Sequence, residues 1–175
     1  ASYAKANREP NRNDFEGGNS QHESLDDYEL GWRFKTDKIK VNTNFYFMNY
    51  KNQLVLSGAL DDVGLPIRIS SGESYRLGFE MDADIQLIKQ LSIRPNVAIS
   101  RNRNIDFNAP INGEIKNLGD TPISNSPDLI IGNALVFKPV SNFEISSLSK
   151  YVGEQYLAIL GGEVSNAEKL DRYFT

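Results

Sequence analysis

The sequence predicts an all-β fold of antiparallel up-and-down strands, forming part of a large transmembrane β-barrel with no significant helix. Two observations carry this prediction. Several segments alternate apolar and polar residues at period two, as strands with unlike faces do. The connections between them alternate short and long. In an up-and-down antiparallel sheet every second connection lies at the same end, so the short turns gather on one side and the long loops on the other. Outer-membrane barrels have this asymmetry, with short periplasmic turns and longer extracellular loops. A Greek-key sandwich gives no reason to sort connections by length.

The clearest strand covers residues 73–86. Tyr75, Leu77, Phe79, Met81, Ala83 and Ile85 share one face, and Arg76, Gly78, Glu80, Asp82 and Asp84 share the other. In residues 38–56, Val41, Thr43, Phe45 and Phe47 oppose Asn42, Asn44, Tyr46 and Met48, and the segment shifts towards a tip from Tyr50 onward. In residues 92–103, Ile93, Pro95, Val97 and Ile99 oppose Arg94, Asn96, Ala98 and Ser100. Pro95 lacks a ladder donor and predicts a bulge or irregularity there. Residues 26–34 set Tyr28, Leu30, Trp32 and Phe34 against Asp27, Glu29, Gly31 and Arg33. Residues 128–138 are apolar on both faces. Residues 142–151 place Phe143, Ile145, Ser147 and Ser149 on one side, and residues 2–6 and 171–175 read as partial strands at the ends. Residues 85–91 could pass for a helical turn but sit where a strand must reverse.

The connections run long (7–24), short (35–38), long (57–72), short (87–90), long (104–124), short (139–142) and long (153–170). Trp32, Tyr46, Tyr50, Tyr75, Tyr151 and Tyr156 lie near strand ends or on outward faces. They suit an interfacial girdle, where amphipathic rings sit between lipid and water, although strands favour aromatics in any setting.

Composition sets broad limits. The chain has 175 residues, a formal net charge of -4 and no cysteine. The charge gives no reason to expect a nucleic-acid partner, and the lack of thiols removes disulfides, iron–sulfur clusters and thiolate zinc sites. Mean hydropathy is -0.45, and no run approaches the roughly 20 apolar residues of a membrane helix. Barrel strands need only about 9–11 residues and alternate, so hydropathy averages miss them. No signal peptide is visible at Ala1, which suits a mature internal segment.

Four stretches together resemble the barrel of TonB-dependent outer-membrane receptors. They are Ser2-Tyr3-Ala4-Lys5-Ala6-Asn7-Arg8-Glu9-Pro10-Asn11-Arg12, Asp27-Tyr28-Glu29-Leu30-Gly31-Trp32-Arg33, Phe45-Tyr46-Phe47-Met48-Asn49-Tyr50-Lys51-Asn52-Gln53-Leu54 and Ser74-Tyr75-Arg76-Leu77-Gly78-Phe79-Glu80. No single stretch is specific; their order and spacing carry the likeness, which runs over essentially the whole chain. The resemblance implies a 22-stranded barrel around an N-terminal plug. Residues 1–175 would then be one segment of that barrel, with the plug and remaining strands elsewhere. It implies an active importer in the bacterial outer membrane. Its substrate would be a scarce nutrient, a small molecule or chelated metal such as an iron chelate. The bilayer would be one partner, and an inner-membrane energising protein, engaged through the absent N-terminal parts, another.

Candidate site residues divide between loops and lumen. Arg101 and Arg103, with Asn102 and Asn104, stand where a strand enters a long loop, placed for an anionic ligand or for lumen solvation or loop salt bridging. Arg8, Glu9, Asn11, Arg12 and Asp14 in the first loop read the same way, and Asp61 and Asp62 form either a cation site or a solvated turn. Glu80, Asp82 and Asp84 share one strand face at about 6–7 Å spacing. That is near the separation of glycosidase carboxylates, but a polar lumen-facing row is the expected role. His22, the one histidine, has no nucleophile or second histidine beside it. No catalytic residue, cofactor or metal is expected, and no Gly-rich phosphate loop precedes a helix. The competing readings are a soluble β-sandwich binding carbohydrate or another ligand, with Tyr75, Leu77, Phe79 and Met81 packed on a second sheet, and a β-rich hydrolase using Glu80, Asp82 or Asp84.

Overall fold

A computed structural model describes residues 1–16, 21–60, 63–111, 114–157 and 169–175. Its main sheet has nine antiparallel strands. Eight follow one another in chain order: β1 (Ser2–Arg8), β2 (Glu23–Lys35), β3 (Ile39–Lys51), β6 (Glu73–Ile88), β7 (Leu91–Ile105), β11 (Leu129–Val140), β12 (Phe143–Val152) and β15 (Tyr173–Phe174). The ninth, β10 (Thr121–Pro122), pairs with β7. This is the predicted meander, and all-β antiparallel strands describe it. The only helix among the described residues is a single turn, α1 (Arg12–Glu16).

The short connections are tighter than expected, because β6 and β11 run past residues 87 and 139. At the first, the Thr36 hydroxyl accepts from the amides of Lys38 (3.3 Å) and Ile39 (3.0 Å). The long connections contain small hairpins off the main sheet: β4 (Leu54–Leu60) with β5 (Pro66–Ser70), β8 (Asn108–Ile111) with β9 (Glu114–Asn117), and β13 (Gln155–Tyr156) with β14 (Lys169–Leu170). Residues 38–56 are therefore two strands, not one. Asn52 breaks them with φ 55°, a left-handed conformation that Asn tolerates better than most residues. Gly72 (φ 71°) returns the chain to β6, and its carbonyl accepts from the Asn52 amide at 2.6 Å.

Register sorts the side chains. Across β2, β3, β6 and β7 one row reads Leu30, Phe45, Phe79, Ile99, and the next row on the same face reads Trp32, Thr43, Met81, Val97. The opposite face has Glu29, Tyr46, Gly78, Ser100 and Gly31, Asn44, Glu80, Ala98. Pro95 brings the expected irregularity as a gap in the ladder rather than as a bulge. Bridges are absent between Asp82/Asn96 and Ile85/Ile93, yet the pairing number is unchanged across that gap, so there is no bulge. The register shift lies nearer the turn, between Gln86 and Ile88. Proline removes one donor from the ladder without inserting a residue.

The apolar face has no second sheet over it among the described residues. Leu30 (59%), Trp32 (57%) and Phe45 (54%) are widely exposed, and the buried hydrophobics are few, including Phe107, Ile123, Val136 and Val152. The chain exposes 11561 Å², whereas a compact protein of 19.6 kDa would expose roughly 8,600 Å². A β-sandwich would bury Leu77 and Phe79 between sheets; here Leu77 is 49% exposed. The sandwich alternative fails on this geometry. An exposed apolar band of this extent marks a surface that meets a membrane or another protein.

Candidate functional site: the inner wall beneath the long loops

Glycines and polar side chains alternate across the inner face. Gly78 lies directly opposite Tyr46 and Gly132 opposite Asn96. A Cβ at Gly78 would meet Tyr46 Cε1 at 2.8 Å, and one at Gly132 would meet Asn96 Nδ2 at 2.8 Å. In each pair glycine leaves room for its neighbour's side chain to lie along the wall rather than project from it.

The acids of β6 are engaged within the wall. Asn42 Nδ2 donates to Asp82 at 2.8 Å, and Asp84 lies 3.5 Å from Arg94 Nε. Glu80 stands opposite Asn44 and Ala98. Their spacing along one strand is the lumen row expected from sequence. Nothing in their contacts sets one up as a general acid against another as nucleophile, a pairing that needs unlike environments.

Nearer the loops the acidic row of β6 gives way to Arg76, the one basic residue on this face of the strand, while Asp27 of β2 stands in the same cross-strand row. The cross-strand neighbours of Arg76 are Met48 and Asn102, and Tyr46 and Tyr50 flank Met48 on β3. Arg76 Nη1 donates to Ser126 Oγ at 3.1 Å. Tyr50 Oη lies 3.8 Å from Met48 Sδ. The recess here has a volume of about 310 Å³ and reaches down to Glu29 and Glu80. A guanidinium among phenols, amides and a thioether can hold an anionic, oxygen-rich ligand through charge-assisted hydrogen bonds. Sequence reasoning put Arg76 on the polar face but did not single it out. The available signal was a lone cation on an otherwise acidic strand face.

The proposed loop residues fare differently. Asn11 and Asp14 cap α1 reciprocally: the Asn11 amide donates to Asp14 Oδ2 (2.9 Å) and the Asp14 amide to Asn11 Oδ1 (3.0 Å). This is a capping-box arrangement. Asp14 is 4% exposed and lies 3.6 Å from Arg8 Nη2. Arg8 and Asp14 therefore hold the loop, and Arg12 is the first residue of the capped turn. Asp61 and Asp62 lie outside the described residues. His22 is exposed, and its carbonyl accepts from Asn52 Nδ2 at 3.4 Å.

Arg101 and Arg103 require a correction. They do not face the lumen, although Arg103 makes the loop salt bridge that was the other expectation, to Asp128 at 3.4 Å. Arg101 pairs across β6 with Leu77 and Arg103 with Tyr75, on the outward apolar face. The alternating residues Asn102 and Asn104 face inward and are buried: Asn104 Nδ2 donates to Thr121 Oγ1 (3.2 Å) and Asn102 Nδ2 to Ser100 Oγ (2.9 Å). The girdle assignment divides similarly. Trp32, Tyr75 and Tyr151 face outward, Tyr46 and Tyr50 face inward, and Tyr156 belongs to a loop hairpin.

The loop hairpins are tied to the wall. The Leu54 amide donates to Glu23 Oε2 (3.0 Å) and Ser74 Oγ to Gln53 Oε1 (2.8 Å). Lys169 meets Glu154 at 2.7 Å. That hydrogen bond, the largest influence on it, holds the Lys169 ammonium above the ordinary lysine range.

Comparison with known proteins agrees with this architecture. A family model described as TonB dependent receptor-like, beta-barrel matches residues 1–175. Among solved structures, the copper transporter OprC superposes with a TM-score of 0.70 at 14% identity, covering 98% of this chain and 26% of that one. The FrpB iron transporter from Neisseria meningitidis gives 0.65 at 15%, covering 98% and 28%. The ferric yersiniabactin uptake receptor FyuA from Yersinia pestis gives 0.61 at 16%, covering 88% and 21%. The chain thus spans about a quarter of the length of these structures, and at such identities they speak to fold. No curated protein sequence matches the chain.

Proposed function

Since the chain belongs to the TonB-dependent receptor-like β-barrel family, we propose that it is a wall segment of an active importer in a bacterial outer membrane. The observation that carries this reading is the pairing of an exposed apolar outer face with a polar inner face, under long loops that all lie at one end. The apolar band meets lipid, and the inner face lines the passage. The loop hairpins stand over the entrance, braced by Glu23 and Gln53. An inner-membrane energising protein would act through parts of the receptor outside this segment.

The substrate we assign is an anionic metal chelate, an iron chelate first. Arg76, Tyr46 and Tyr50 supply a cation and two phenols just below the loops, the chemistry that an oxygen-rich anion requires. The names of the similar structures, two concerned with iron and one with copper, support a metal-bearing cargo.

The test uses the intact receptor, expressed in a bacterium stripped of its own iron-chelate receptors. Uptake of radiolabelled ferric chelates should appear with the receptor, stop when an uncoupler collapses inner-membrane energy, and fall at least about tenfold in R76Q, as the loss of a charge-assisted contact predicts. Uptake that survives the uncoupler refutes active import. Uptake unchanged in R76Q removes the recess from the substrate path.

A further inference from the structure

The outward face carries its own charged feature at the loop end. Four aromatic rings form a continuous row there across β1, β2, β3 and β6. Tyr3 and Tyr28 have ring centroids 5.0 Å apart, Tyr28 and Phe47 6.3 Å, and Phe47 and Tyr75 6.3 Å. Aromatic belts mark the headgroup level of a bilayer. On the next strand, β7, the outward positions read Ile93, Pro95, Val97, Ile99 and then Arg101, Arg103. The apolar band of β7 thus ends at Ile99, and the two arginines stand opposite Leu77 and Tyr75 at the level of the belt.

We propose that Arg101 and Arg103 form an outward clamp for the phosphate of an anionic lipid in the leaflet on the long-loop side. An arginine is costly at the membrane midplane and nearly free at the interface, so the depth suits both residues. The two side chains leave one strand face about 6–7 Å apart; Arg101 offers a planar fork that matches phosphate oxygens, and Arg103 adds positive charge and its remaining N–H groups. Arg101 is exposed, and among the described residues no carboxylate pairs with it. Arg103 is 24% exposed at its side chain; its Nη2 is 3.4 Å from Asp128 Oδ2, and its Nη1 donates to the Asn102 carbonyl at 2.7 Å. These contacts orient Arg103 and leave Arg101 as the free cation. The acyl chains of the same lipid would lie on Ile99 and Val97 directly below and on Phe79 and Met81 beside them.

The experiment is native mass spectrometry of the intact, detergent-purified receptor titrated with lipid A carrying two phosphates. The probe should bind the wild type and bind R101Q/R103Q at least about tenfold more weakly, the loss expected for charge-assisted contacts. R101K/R103K, which keeps the charge without the fork, should fall between them. Dephosphorylated lipid A should bind the wild type as weakly as the intact lipid binds R101Q/R103Q. Equal binding of both lipids to the wild type overturns the clamp and needs no variant to fold. Equal binding of phosphorylated lipid to wild type and R101Q/R103Q also overturns it. Full displacement by inorganic phosphate would make this a free-anion site and overturn the lipid assignment. The clamp rests on the membrane reading of this face, and the two fail separately. A receptor that imports its chelate but does not discriminate lipid phosphate loses only the clamp. Spin labels at residues 45 and 99 that report water rather than lipid would remove both.

Discussion

Phe45 and Asn44 are sequence neighbours on opposite faces of β3, and an arginine at each should have opposite consequences. Phe45 faces outward in mid-band, 54% exposed, with its ring centroid 4.7 Å from that of Phe79. In a soluble protein an arginine at so exposed a site would cost little. On a lipid-facing barrel surface it costs about 2–4 kcal/mol near the midplane, and losing the ring pair adds about 0.5–1.5 kcal/mol. F45R should therefore destabilise the barrel by roughly 3–5 kcal/mol. Asn44 faces inward, opposite Gly31 and Glu80. N44R gains an acidic neighbour on a solvated wall and should change stability by less than about 1 kcal/mol. The assay is reversible denaturant unfolding of the intact receptor in lipid vesicles, with the heat-dependent electrophoretic shift of the folded barrel as a second readout. If both variants cost the same, or F45R is the milder, the face assignment is wrong and the membrane reading falls with it.

Three further outcomes follow from the packing. G78V should push Tyr46 off the inner wall, because the new Cβ would lie 2.8 Å from Tyr46 Cε1. It should cost about 1–3 kcal/mol, and Y46A/G78V should recover most of that in the same unfolding assay. D14A removes the reciprocal cap of α1 and the partner of Arg8; it should weaken the local structure by about 1 kcal/mol. The readout is faster protease nicking within residues 9–22, with global unfolding unchanged. The Glu154–Lys169 contact depends on pH in a defined sense. Because Lys169 titrates above its ordinary value in the folded chain, its contribution is complete at neutral pH and is lost only as pH rises through that raised value. The mobility of a spin label at residue 157 should stay constant from about pH 6 to 9, rise only above about pH 10, and lose that step in K169M.

Much of the wall was legible because a strand presents its side chains with period two. Tyr75 through Ile85 and Tyr28 through Phe34 each declare a face without reference to any partner. Loop polarity was legible for a similar reason, since antiparallel alternation turns the order of long and short connections into two ends. The hairpins β4–β5, β8–β9 and β13–β14 were not, because their short strands pair locally through backbone hydrogen bonds that composition does not encode. Asn52 is a case in point. Its left-handed φ ends β3, whereas the sequence showed only a shift towards a tip from Tyr50 onward and not a second strand beyond it.

The candidate site shows the boundary most sharply. Arg101 and Arg103 have the same parity as Ile99, so their outward direction was implicit in the pattern. What parity could not say is whether the strand continues that far. It does so because β6 pairs with β7 up to Glu73 and Ile105, and a residue's face is defined only while its strand persists. Arg8 and Asp14 were legible as loop polar residues, but their roles depend on a cap that forms only when the turn folds. The sequence by itself thus determined the long strands of the main sheet, their two faces and the end at which the loops gather, because each follows from local alternation and connection length. Only the tertiary structure decided register, and with it that Arg76 meets Met48 within the wall while Arg101 stands beside Leu77 outside it. That decision is long-range, because hydrogen bonding between strands distant in sequence sets which residues share a row.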